Sequence, residues 1–124
     1  MKTLTDDQVQ ALTGEVARVR PEDEEKVRTG FSQAETKAKQ RGAARQLLEN
    51  VKTLWRMLTD PDYVIDWQVK AWIIFALGYF ISPIDVVPDV VPVLGYVDDA
   101  VVVAWVVHQL SDQVVAYRRW KGLA

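Results

Sequence analysis

The sequence contains no cysteine. That excludes disulfides, thiolate zinc sites and a cysteine nucleophile. It contains one histidine, His108, which excludes any site needing two imidazoles from one chain. Charge of one sign is also missing. Fifteen Lys and Arg stand against seventeen Asp and Glu, so the net charge of −2 gives no global drive toward nucleic acid. No Gly-rich phosphate loop is present, since Gly78 and Gly95 are isolated. No apolar run reaches the roughly 20 residues that span a bilayer. Ala71–Ile81 has 11 residues without charge and Ala100–Val107 has 8. Behind Met1-Lys2-Thr3-Leu4-Thr5 there is no apolar stretch, so no signal peptide is expected and a cytoplasmic location is the default.

What remains is globular in composition, 49% hydrophobic and 26% charged over 124 residues, the size of one domain. The two halves differ. Residues 1–62 form a highly charged, balanced region of amphipathic helices. Residues 63–124 hold four of the five tryptophans and only four basic residues.

The periodicity predicts an all-α fold of about five helices. Thr5 caps the first, with Asp6 and Asp7 against the positive end of its dipole and a stripe of Val9, Leu12, Val16 and Val19. Pro21 and the acidic run 22–25 open the second, whose stripe is thin (Val27, Phe31, Ala34, Ala38) and which ends or kinks near Gly42. The third carries Ala44, Leu47, Leu48, Val51, Leu54, Trp55 and Leu58 and stops at Asp60-Pro61-Asp62. A fourth runs from about 64 to 81 and a last from about 99 to 117. Both become apolar on every face, the mark of a buried helix. These two are expected to form a central apolar hairpin, with the amphipathic N-terminal helices packed around it.

The connection of the hairpin is the most specific stretch. Prolines at 83, 88 and 92 prevent one continuous helix, yet six aliphatic residues between 86 and 94 require burial, so an ordered connection is expected. Ser82-Pro83-Ile84-Asp85 has the form of a capping box, and Asp98 and Asp99 suit the start of the last helix. Asp89 has no such role. The pattern of Ser82, Pro83, Asp85, Pro88, Asp89, Pro92, Gly95, Asp98 and Asp99, preceded by Tyr79 and Phe80, resembles the signature of the YkvA-type domain family over about a third of the chain. The resemblance implies a small helical domain of unknown function, found mostly in bacteria. Some of its members are predicted to be membrane-associated, and a related segment occurs in a eukaryotic membrane-bound ubiquitin ligase. It brings no catalytic residues.

Several chemistries compete for these residues. Asp85, Asp89, Asp98 and Asp99 together could hold Mg²⁺ or Ca²⁺, although capping accounts for three of the four. His108 and Asp112 are spaced as a base and its orienter on one helix, but a surface histidine explains the pair as well. Two basic clusters, Lys37, Lys39, Arg41, Arg45 and Arg118, Arg119, Lys121, suit an anionic surface such as lipid headgroups. A lipid-embedded hairpin is a further alternative: Lys52, Arg56 and the cluster 118–121 would lie on the cytoplasmic side, the connection would carry only aspartates, and Trp67 and Trp120 would sit at the interface. The reading adopted is a non-enzymatic helical interaction or scaffold protein with no cofactor. It partners a protein or a second copy of itself, acts at the membrane surface, and does not bind nucleic acid.

Overall fold

A computed structural model describes residues 4–81 and 99–122. Six helices and no strand are present among them: α1 Asp6–Ala17, α2 Pro21–Gln40, α3 Arg45–Thr59, α4 Trp67–Ile81, α5 Asp99–Gln109 and α6 Ser111–Lys121. The fold is all-α, as the periodicity predicts.

Local chemistry sets the boundaries. The Gln8 backbone N–H donates to Thr5 Oγ1 at 3.2 Å, and the Thr5 N–H donates to Gln8 Oε1 at 2.9 Å. This reciprocal box satisfies two N–H groups that the first turn leaves unpaired. At the start of α2 the Arg20 N–H donates to Asp23 Oδ2 at 2.9 Å. The helix runs out at Gly42, whose φ of 74° lies in the left-handed region that glycine enters without a Cβ clash. α4 begins at Trp67, three residues later than periodicity suggests, because Asp66 caps it: its Oδ1 accepts from the Val69 N–H at 3.1 Å.

The expected single helix over 99–117 is two helices, bent by 78° at Leu110. Leu110 leaves helical geometry (φ −100°, ψ 20°) and stays buried. Ser111 and Asp112 then open a new first turn with an acid at its positive end. The apolar character of residues 100–110 conceals this restart.

α4 is the centre of the molecule. It packs against α1, α2, α3 and α5, and every residue from Ile73 to Phe80 is buried. Its surroundings are therefore protein on all sides, which explains why it has no polar face. Gly30 of α2 allows close approach here, since a Cβ at that position would stand 3.2 Å from Ile81 Cγ2. α5 differs from expectation. Val102, Val103 and Val106 are buried, but Val101, Trp105 and Val107 are half-buried and Ala104 is exposed. Three helices surround α4 on the N-terminal side, so α5 covers only what they leave and presents the rest of its apolar surface outward.

Four contacts fix the directions. Lys70 Nζ lies 3.3 Å from Glu24 Oε1, and the Phe31 and Phe80 rings are 6.4 Å apart, so α2 and α4 run parallel. Phe31 stacks on Trp55 at 4.4 Å, and Arg28 Nη2 donates to the Leu58 carbonyl at 3.5 Å, so α3 runs antiparallel to both. One end of the bundle thus holds the end of α3 and the start of α4. The other holds the ends of α2 and α4, about 20 Å away along α4.

Candidate functional site

Of the residues singled out in the connection, Ser82, Pro83, Asp85, Pro88, Asp89, Pro92, Gly95 and Asp98 lie outside the described residues, and Asp99 is described only as the first residue of α5. The possible Asp85, Asp89, Asp98 and Asp99 cation site therefore lies beyond them too. Among the described residues no group of three or more acidic or histidine side chains could hold a metal ion. His108 and Asp112 fall on opposite sides of the bend at Leu110, and both are exposed. The one-turn spacing that would pair them on a continuous helix is not realised.

The two basic clusters occupy opposite ends of the bundle. Lys37, Lys39 and Arg41 stand exposed at the end of α2, beside the end of α4. Arg45 pairs with Glu49 at 3.4 Å in a solvent-exposed contact. Cations therefore flank α4 at the end from which the connection departs.

The other end is richer. Asp60, the C-cap of α3, keeps its side chain only 5% exposed and holds α6 in place. Its Oδ2 accepts from Lys121 Nζ at 2.8 Å and from the Tyr117 hydroxyl at 3.0 Å, while Oδ1 accepts from the Asp62 N–H at 3.0 Å. The bond from Lys121, with the Asp62 N–H behind it, holds the Asp60 carboxyl below its usual range. Burial, then the Asp60 bond, raises the Tyr117 phenol, and the Asp60 bond raises Lys121. Lys121, a sequence candidate for an anionic surface, is thus already engaged within the chain. Tyr63 packs edge-on to Tyr117 at 4.8 Å and against Trp120 at 5.0 Å. Sequence reasoning missed this clasp. Asp60 reads there only as a helix stop, and its partner stands 57 residues away.

Near the clasp lie three of the four exposed large apolar residues among the described ones. Val64 is 92%, Trp67 44% and Trp120 50% exposed. Val64 adjoins Tyr63, and Trp67 opens α4 within about 15 Å of it along the chain. Arg118 and Arg119 are exposed on α6 and form no ion pair among the described residues. The remaining tryptophans, Trp55, Trp72 and Trp105, are half-buried, with the last two in edge contact at 5.2 Å. Exposed indole rings and exposed guanidinium groups therefore lie toward one end of the molecule. Such a surface can sit in a lipid headgroup layer, the rings in the acyl boundary and the cations on phosphate.

Among the described residues no single helix is long and apolar enough to cross a membrane. α5 and α6 pass together by length and composition, but only across their 78° bend.

Comparison with known proteins bears on the centre of the fold. Residues 69–105 match the family described as protein of unknown function (DUF1232). The chain is also similar to the uncharacterized membrane protein YkvA of Bacillus subtilis (strain 168). The two are 30% identical over 82 residues, 62% of this chain and 76% of that protein. No solved structure matches. The family match begins in α4 and ends in α5, so it covers the central helix rather than the surface around Asp60.

Proposed function

We propose that this chain, which belongs to the DUF1232 family, is a non-enzymatic interaction protein that docks peripherally on an anionic membrane surface. The observation that carries the reading is the grouping of exposed Trp67, Trp120 and Val64 with exposed Arg118 and Arg119 at one end of a bundle. The relative named a membrane protein supports it. So does the environment of residues 73–80 of α4, every one of which other helices bury. Attachment through side chains at one end is the arrangement compatible with both. The docked face leaves the half-exposed apolar side of α5 free for a protein partner.

Flotation with phosphatidylglycerol-containing vesicles tests this. Wild-type chain is expected to float at low salt and to detach as salt rises, because exposed charges are screened. Arg118→Gln with Arg119→Gln should weaken binding about thirtyfold, at ~1 kcal/mol per cation near an anionic surface. Trp67→Ser with Trp120→Ser should lower partitioning at all salt concentrations. Wild-type chain that stays at the bottom of the gradient, or binding that survives both pairs of changes, would refute the reading.

A further inference from the structure

We propose that a cavity at the opposite end of the bundle binds a small soluble anion carrying an apolar tail, of the class of an alkyl phosphate or a short fatty-acid carboxylate. The cavity has a volume of about 290 Å³ and is lined by Ala34, Lys37, Gln40 and Arg41 of α2 and by Phe80 and Ile81 of α4. Its lining combines two cations with two large apolar side chains.

The charge arrangement is the first argument. Arg18, Arg28, Arg45, Lys70 and Lys121 each stand within 3.4 Å of a carboxylate. Lys37 and Arg41 have no such partner among the described residues, and they sit four apart on one helix face, where like charges repel. An anion between them removes that repulsion and accepts charge-assisted hydrogen bonds from both. The guanidinium fork of Arg41 suits the paired oxygens of phosphate or carboxylate.

Shape is the second. Phe80 and Ile81 give the cavity an apolar wall, and Ala34 supplies little bulk beside them. A bare inorganic anion would leave that wall wet, whereas an attached tail covers it. The volume sits at the low end for ligand sites, which admits a short chain and excludes a whole phospholipid.

The ligand comes from solution. Trp67 and Trp120 lie at the other end, so a membrane bound there stands about 20 Å from the cavity along α4. That choice of source rests on the membrane reading, but the cavity and its chemistry do not.

Calorimetric titration of the full chain with octyl phosphate, below its micelle concentration and without membranes, tests the site. Inorganic phosphate and octyl glucoside are the comparison probes. One saturable site is expected for octyl phosphate, with affinity at least tenfold above either comparison. Tryptophan emission should change in step, with the change absent from Trp55→Phe, because Trp55 stacks on Phe31, which abuts Phe80. Lys37→Gln with Arg41→Gln, both on the surface, should weaken binding tenfold or more while leaving the urea midpoint in place. Ala34→Leu should block the tail with both charges retained. No binding by wild type, equal binding of inorganic phosphate or octyl glucoside, or unchanged affinity in the double variant would overturn the proposal. Displacement of the probe by phosphatidylglycerol vesicles would overturn the solution source. Failure of vesicle flotation alone would leave the titration standing, so the two proposals fail separately.

Discussion

Truncation of Phe75 to alanine is expected to destabilise the chain by about 3–5 kcal/mol. For a domain whose total stability is about 5–15 kcal/mol, that removes a large part of the margin. The reason is position. Phe75 is fully buried at the midpoint of α4, the helix that touches α1, α2, α3 and α5. Its ring also packs 6.2 Å from that of Tyr79. Four helices cannot all close around the lost volume, so the cost includes a residual cavity. Val115→Ala, on the 46% exposed side of α6, should change stability by less than about 0.5 kcal/mol. Equilibrium urea unfolding of the detergent-free protein measures both. A cooperative wild-type transition with an unchanged Phe75→Ala midpoint would show that α4 does not organise the core.

Tyr117→Ala should be comparably severe, about 3–5 kcal/mol, because the side chain is 1% exposed and anchors α6 to the end of α3. Tyr117→Phe keeps the ring against Tyr63 and removes only the bond to Asp60, so its loss should be clearly smaller. Lys121→Met should have the smallest effect, since Lys121 is half in solvent and exposed ion pairs contribute little.

The same clasp predicts a pH profile. Asp60 has a lowered folded pKa. Its contribution is therefore present above the unfolded carboxyl value and is lost as pH falls through the folded one. Tyr117 and Lys121 have raised folded values. Their contributions are complete below the unfolded values, near 10, and are lost as pH rises through the folded ones. Stability should show a plateau through neutral pH with a decline on both sides. Asp60→Asn should reduce the acid decline, and Tyr117→Phe the alkaline one. Urea midpoints across pH, with Trp120 emission reporting α6, decide this. An unaltered acid limb in Asp60→Asn would remove Asp60 from the account.

Much of the fold was legible because its signals are local. The Thr5–Gln8 box, Pro21, Gly42 and the stop at Asp60-Pro61 act within a turn or two, and each sits where its chemistry puts it. The all-round apolar character of Ala71–Phe80 correctly marks a buried helix, because a helix enclosed by four others has no use for a polar face. α5 shows the limit of that rule, since Ala104 is exposed despite an equally apolar sequence. The bend at Leu110 was not legible. Leu110 belongs to the apolar stripe on either helix, and only Ser111 and Asp112 hint at a new first turn.

The surface features divide in the same way. The embedded-hairpin alternative sets Trp67 and Trp120 at a lipid interface, and they are the two exposed tryptophans among the described residues. The Asp60, Tyr117 and Lys121 clasp joins residues 57 and 61 apart, a distance over which no periodicity carries information. Nor does periodicity separate the two basic clusters, which only the parallel course of α2 and α4 sends to opposite ends. The proline and aspartate signature marks the family most sharply, while the proposed membrane-docking surface lies outside it.

The central claim is that this is a protein-packed bundle held to a membrane by one end. Fractionation of cells expressing the untagged chain tests it most directly, with the membrane pellet washed first in high salt and then in alkaline carbonate. The account predicts that the chain pellets with membranes at low salt and enters the supernatant in these washes, largely in the first. Retention in the pellet through carbonate would mean that its apolar helices lie in lipid, and would contradict the account.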